Sequence, residues 1–235
     1  MAAGPPVTLL AADERRGRCI VSAVMSKHTL SPRAYDVLQH LVHGRHDPLK
    51  HAIRAAYAPF TGSPVLELGC GTGVLSAAFA PSLYTGVDLD GARIAAARAE
   101  HPGAAFVHAD VRSLEPAFFA PFRFLFCHAW LHHIDDATCQ DIFCAIARAS
   151  TATPRVLMVY EPVLARPLRN PVGWALGKLD RGDFVRPAPA MRALCEPFVE
   201  HMVVVPGPKR WPVPGATMRL VFDADRATRF LATHA

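Results

Sequence analysis

Charge is scarce in this chain: Asp, Glu, Lys and Arg make up 19% of its 235 residues, against 51% hydrophobic ones. That excludes a largely disordered chain and leaves enough apolar side chain for one domain, or one domain with a small cap. Long apolar runs are missing as well. None approaches the roughly 20 residues that a bilayer-spanning helix needs, so no membrane span is expected. The six cysteines, at 19, 70, 127, 139, 144 and 195, form no C-x-x-C pair and no framework of short spacings. This excludes a disulfide scaffold and points to buried thiols in a reducing compartment. Cys139 and Cys144, considered with His132 and His133, match no zinc spacing, and no metal site is expected. Met1 to Ala12 lacks the basic start of a secretory signal, so the expected location is the cytoplasm. Internal repeats and low-complexity blocks are absent. The formal charge of +5 is mild, and a solvated basic surface accounts for it better than a polyanionic partner does.

Against these absences stands one concentrated stretch, Val65-Leu66-Glu67-Leu68-Gly69-Cys70-Gly71-Thr72-Gly73. A strand-type run enters a glycine-rich turn, and the apolar run Val74 to Ala80 then reads as a helix. Glycines at alternate positions permit positive φ and let a ligand approach without meeting a Cβ, while free N–H groups at a helix start favour an electron-rich group. A nucleotide-like ligand is implied. Val74 stands where the dinucleotide fingerprint G-x-G-x-x-G wants its third glycine, so the fit to NAD is imperfect.

The rest of the chain alternates. Residues 1–18 mix glycine, proline and charge without period. Ser31-Pro32 opens a helix carrying Tyr35, Leu38, Leu41 and Val42, and Asp47-Pro48 opens a second one to about Tyr57. The histidines at 28, 40, 43, 46 and 51 read mainly as surface or packing residues. Strands are predicted at Val65–Leu68, Leu83–Asp88, Ala105–His108, Phe122–Cys127 and Val156–Tyr160, with helices at Gly91–Glu100 and Asp135–Ala149. Continuous apolar strands alternating with helices imply a parallel sheet covered on both faces. From Pro162 the rhythm breaks. Arg166, Arg169, Lys178, Arg181 and Arg186 mingle with Trp174, Leu176 and Leu179, a short helix follows at Ala190–Cys195, and strands at Val199–Val205 and Met218–Phe222 flank a proline-rich link containing Lys209, Arg210 and Trp211.

The stretch Glu67 to Gly73 resembles the first motif of the class I S-adenosyl-L-methionine (SAM)-dependent methyltransferases. The resemblance continues in order through Tyr84 to Asp90, His108 to Val111, Phe124 to His133 and Val156 to Glu161, covering about residues 60–165. It implies an α/β fold with a doubly wound, seven-stranded, mostly parallel sheet that ends in an antiparallel pair. Residues 1–18 would be a flexible terminus, 19–60 a helical segment over the active site, and 61–235 the SAM-binding domain, with an inserted cap at about 162–195.

By the same resemblance, Asp88 accepts both ribose hydroxyls. It lies 19 positions after Gly69, close to the roughly 20 of dinucleotide folds. Glu67 would orient the turn and reach the ammonium end of SAM, and the backbone from Gly69 through Cys70 and Gly71 to Gly73 would approach the amino-acid and ribose portions. Asp110 would accept from the adenine amino group, Val111 would offer its amide, and Leu89 would wall the ring. His128 would contact the methionine end through its backbone, while Asp90 reads as a helix cap.

His132 and His133, at the mouth of the fourth strand, are candidates for a general base, with Glu161 an equal candidate for substrate contact. The reaction implied is methyl transfer from SAM to a small-molecule acceptor by in-line displacement, with O, N, S and C nucleophiles all open. The cap's arginines and apolar side chains point to an amphipathic or acid-bearing acceptor. Two alternatives stay in view. An RNA or DNA methyltransferase could use the basic cap with Trp174 and Trp211, although Cys127-His128-Ala129-Trp130 stands where an Asn/Asp-Pro-Pro-aromatic motif would be needed. A non-catalytic SAM-fold binding protein is opposed by the intact Glu67, glycines, Asp88 and Asp110.

Overall fold

The computed structural model describes residues 47–151, 153–172, 174–175, 182–206 and 215–234. The helix expected from Ser31, the histidines at 28, 40, 43 and 46, Cys19, the cap residues Leu176, Lys178, Leu179 and Arg181, and the link with Lys209, Arg210 and Trp211 lie outside the described residues.

Seven strands form one sheet in the order β3-β2-β1-β4-β5-β7-β6. They are β1 (Val65–Leu68), β2 (Tyr84–Asp88), β3 (Ala105–His108), β4 (Phe124–His128), β5 (Val156–Pro162), β6 (Val199–Pro206) and β7 (Gly215–Phe222). The first five run parallel, and β7 pairs antiparallel with both β5 and β6. Every residue of β1 is buried, as are the first four of β4 and the first six of β5. Their mostly apolar sequence, broken only by Glu67 and Glu161, records cover on both faces. In β7 burial alternates residue by residue, as suits an antiparallel strand with one face less covered.

Helices α1 (Asp47–Tyr57), α2 (Gly91–Glu100), α3 (Asp136–Arg148), α4 (Ala188–Cys195) and α5 (Ala224–His234) accompany the sheet. Leu49 and Ile53 of α1 and Ile94 and Ala97 of α2 join Val65, Tyr84, Phe124, Phe126 and Met158 on one face. Ile142, Phe143 and Ile146 of α3 join Leu66, Leu68, Val87, Leu125 and Leu157 on the other, with Leu194 of α4 and Ala227 of α5. Local chemistry fixes the helix starts. Asp90 accepts from the amides of Ala92 and Arg93 to cap α2, and Asp135 accepts from Thr138 N at 2.7 Å to cap α3. The C-terminal helix α5 went unread in the sequence.

The helix expected after the glycine turn is absent. Val74–Ala78 is a five-residue 3-10 helix that ends in extended backbone at Phe79. Pro81 explains the stop: it supplies no N–H and disfavours helical backbone at Ala80, whose ψ is 131°. Arg54 of α1 holds this turn by donating to the carbonyls of Ala77 and Ala78 at 2.9 and 3.0 Å. A single 3-10 turn does not supply the α-helical N-terminus that the sequence pattern promised.

The sheet order places a topological switch point between β1 and β4, where the chain leaves towards β2 on one side and β5 on the other. Open α/β sheets bind ligands in the crevice at the carboxyl ends of such strands. Here that crevice lies between the turn 69–73 and the loop 129–134.

Candidate active site

The glycine turn is built for two different neighbours. Gly69, Gly71 and Gly73 all take positive φ, at 69°, 54° and 77°. A Cβ at Gly69 would stand 2.1 Å from Cδ1 of Trp130, and one at Gly73 would stand 2.6 Å from the Phe106 ring, so those two glycines make room for the protein's own aromatics. Only at Gly71 does a Cβ meet nothing nearer than 3.9 Å. Ligand access, argued from the sequence for the whole turn, is thus concentrated at Gly71. Beside it, Asp88 at the end of β2 accepts from Gly71 N and from Asp90 N, each at 2.8 Å. Leu89 follows with 55% of its surface exposed, an apolar side chain set next to the carboxylate. Cys70 turns the other way. Its side chain is buried in the core beside Tyr84, and burial pushes its thiol up, so only the Cys70 backbone is available to a ligand.

Glu67 is buried in the middle of β1 and accepts a hydrogen bond from the Tyr84 hydroxyl. Burial raises its carboxyl from 4.5 to about 8, working against the lowering effect of the Tyr84 bond and assisted by nearby Asp88. Asp110 caps the turn Val111–Ser113 by accepting from Arg112 N at 2.9 Å, and it also accepts from Arg112 Nε at 2.8 and 2.9 Å. Burial works against its charge, but the Arg112 bonds outweigh that and hold the carboxyl below the usual range. Val111 is buried behind it.

Across the crevice, the loop after β4 is held from both sides. Ala129 adopts a left-handed φ of 49°, rare for a residue with a Cβ, while its amide donates to Tyr160 O at 2.8 Å. Glu161, at the end of β5 and buried, then takes the next amides: Trp130 N at 2.7 Å, Leu131 N at 2.8 Å and, more loosely, His132 N at 3.4 Å. Its Oε2 also lies 2.7 Å from His132 Nδ1. Burial alone would push this carboxyl up, yet the imidazole and the amides bring it below the ordinary carboxylate value. An ionised carboxylate only accepts, so Nδ1 of His132 is the donor in this pair.

The carbonyl side of the same loop belongs to Arg186. Its guanidinium is buried and donates to Leu131 O at 2.9 Å and Ile134 O at 2.7 Å, while Nε bonds Asp136 Oδ1 at 2.7 Å. Both oxygens of Glu161 are thus engaged by the loop amides and His132, and the Arg186 guanidinium by the loop carbonyls and Asp136.

His132 is 4% exposed and packed against Gly182, where a Cβ would meet its Cδ2 at 2.0 Å. His133 is exposed, with its ring centroid 4.1 Å from that of His132. His128 ends β4, half-buried. Sequence reading passed over Trp130 and Tyr84. The signals were the indole one residue before Leu131-His132-His133, and a tyrosine two residues before Gly86 on the face that Glu67 shares. Among the described residues no three His, Cys, Asp or Glu side chains cluster as a metal site, and no helix is long and apolar enough to cross a membrane.

This arrangement has counterparts. Residues 65–152 match the family model of a methyltransferase domain. The fold is similar to that of an O-methyltransferase assigned in Nostoc punctiforme PCC 73102, with a TM-score of 0.60 at 13% identity over 82% of this chain and 58% of the other. It is similar to the mitomycin 7-O-methyltransferase, with a TM-score of 0.57 at 19% identity over 85% of this chain and 60% of that one. Magnesium protoporphyrin IX methyltransferase from Synechocystis PCC 6803, solved with bound S-adenosylhomocysteine (SAH), gives a TM-score of 0.50 at 17% identity over 74% and 82% of the two chains. No curated protein matches the chain in sequence. Residues 65–152 match a methyltransferase domain, and that match together with the fold indicates a SAM-dependent methyltransferase, the match opening at strand β1.

Proposed function

We propose that this protein methylates a small-molecule acceptor through a proton-bearing nucleophile, a hydroxyl foremost, with His132 as general base. The observation that carries this reading is the carboxylate-held imidazole at the carboxyl end of β4, one loop across the switch point from Gly71 and Asp88. The turn fits the cofactor: an open approach at Gly71, a carboxylate at Asp88 for ribose hydroxyls, exposed Leu89 for the adenine face and buried Glu67 for the ammonium end. Asp110 and Val111 lie at the end of β3 for the adenine edge, where the ring's amino group would share Asp110 with a half-exposed Arg112. When bound, SAM supplies an activated methyl group.

The chain's own residues do the rest. In this reading Glu161 orients the ring through Nδ1 and Nε2 takes the acceptor's proton, and general bases of this kind contribute about 10²- to 10⁴-fold. Trp130 closes over Gly69 and limits water there. Phe184, whose amide donates to His132 O at 3.0 Å, sets an apolar ring near the base and supports an acceptor with an apolar body. Five buried free thiols support a reducing, cytoplasmic setting. The test is transfer of labelled methyl from SAM to a panel of phenols, alcohols, amines and thiols, with tRNA and duplex DNA alongside. Label appearing in hydroxyl acceptors, and lost in His132→Ala, is expected; label only in nucleic acid overturns the reading.

A further inference from the structure

Glu67, Tyr84 and Gly86 form a small assembly inside the sheet, of which only Glu67 has so far been given a role. Glu67 on β1 lies in register with Gly86 on β2, and Tyr84 stands two residues earlier on the same face. A Cβ at position 86 would sit 2.8 Å from the Tyr84 hydroxyl and 2.7 Å from Cys70 Sγ. The missing side chain is what lets the phenol reach over β2 to the carboxyl of Glu67. Tyr84 is 1% exposed and its ring is packed among Phe79 and Phe106, so the hydroxyl is aimed rather than mobile. It engages one carboxyl oxygen, Oε2.

We propose that Tyr84 is a positioning residue for cofactor binding: its phenol fixes Oε2 of Glu67 so that the carboxylate meets the α-ammonium group of the cofactor's amino-acid end. The proposal rests on the SAM-binding reading and names what selects the amino-acid end within it. The titratable groups near Glu67 are Tyr84, Cys70, Asp88 and, on the neighbouring strand β4, Cys127. Asp88 disfavours its charge and Tyr84 favours it. With a carboxyl near 8, the ligand-free protein holds Glu67 mostly protonated at pH 7, and an arriving ammonium group drives the proton off. Among the described residues no cation pairs with Glu67, so in this proposal the ligand's ammonium group supplies the compensating charge.

The test compares SAH with 5′-methylthioadenosine, which keeps the adenosine and the thioether but lacks the amino-acid end. Calorimetry on wild type, Tyr84→Phe and Glu67→Gln gives affinity, and repeating it in two buffers of different ionisation enthalpy gives protons released. Wild type is expected to bind SAH with release approaching one proton per site at pH 7. Tyr84→Phe is expected to weaken SAH by about tenfold, as for loss of a hydrogen bond to a charged group, with methylthioadenosine unchanged. Glu67→Gln is expected to abolish the proton release. Methylthioadenosine bound at wild-type strength also certifies that the variant is folded. If Tyr84→Phe leaves SAH binding intact, or weakens both ligands equally, the positioning role is overturned while the cofactor reading stands. If wild type binds neither ligand, the cofactor reading fails and takes this proposal with it.

Discussion

Replacing Glu161 with glutamine tests the central geometry of the site, because it preserves shape and removes charge. The carboxylate accepts two short amide bonds at Oε1 and the imidazole at Oε2. A glutamine can keep its oxygen on Trp130 N and Leu131 N. Its NH2 must then face His132 Nδ1–H, donor against donor. The imidazole resolves the clash by moving its proton to Nε2, so that Nδ1 accepts. Folding survives this exchange at a cost of about 1.5–3 kcal/mol, the worth of hydrogen bonds to a charged group, but His132 is left in the tautomer that cannot accept a proton at Nε2. The expected loss of turnover is about 10²- to 10⁴-fold.

Nitrogen-15 NMR of the histidine side chains reads the tautomer directly and needs no acceptor: Nδ1–H in wild type, Nε2–H in Glu161→Gln. Urea melts with unchanged m-value measure the stability term. The pH dependence has a definite sign. Glu161 is depressed in the folded state, so its contribution to stability is present above the unfolded carboxylate value and is lost as pH falls through the folded one. Glu161→Gln should flatten that acid limb. A wild-type His132 already protonated on Nε2 would refute the reasoning, as would a variant with unchanged stability and tautomer.

Three further outcomes are expected. Glu67 has the opposite sign from Glu161: its carboxyl is raised from 4.5 to about 8, so its contribution is full below pH 4.5 and is lost as pH rises through 8. The ligand-free protein should lose about 4 kcal/mol between pH 5 and pH 8.5, and Glu67→Gln should not, in urea melts at those two values. Gly69→Ala forces a Cβ to 2.1 Å from the Trp130 ring at a φ of +69°, and should destabilise by about 2–4 kcal/mol with displacement of the indole, visible in tryptophan fluorescence. Arg155→Met removes a buried guanidinium that donates to Phe119 O at 3.1 Å and Ala120 O at 2.7 Å and also caps α3 at Ala149 O; it should lower the urea midpoint by about 2–4 kcal/mol equivalent without affecting SAH binding.

The sheet was legible because its strands advertise themselves. Phe124–Cys127 and Val156–Tyr160 are apolar without interruption and Val65–Leu68 is broken only by Glu67, a pattern that a doubly covered parallel strand tolerates. Capping was equally local: Asp90 could be assigned as a cap, and Asp135, where a helix was expected to begin, caps it in the same way. The failed helix at Val74–Ala80 was a contest between apolar pattern and Pro81, and the proline won over a segment too short to recover. Charged residues were the least legible. Arg186, Glu161 and Glu67 look alike in sequence as ionisable groups near a site, but their roles depend on partners 17 to 55 positions away.

The loop 129–134 presents amides on one side and carbonyls on the other, and a short loop outside regular structure cannot pair both with itself. Glu161, 30 residues downstream of Leu131, neutralises the amides, and Arg186, 55 residues downstream, neutralises the carbonyls. A buried anion and a buried cation thus act on the same six residues without forming a direct ion pair with each other; Arg186 pairs with Asp136 and Glu161 with His132. Each charge compensates backbone dipoles that the fold would otherwise bury unsatisfied. The consequence for function is rigidity at the point where His132 must hold one tautomer and one orientation, with Trp130 set against Gly69 by the same anchor. Loosening either charge frees the base and the aromatic wall together, so the two should respond as a unit rather than as independent sites.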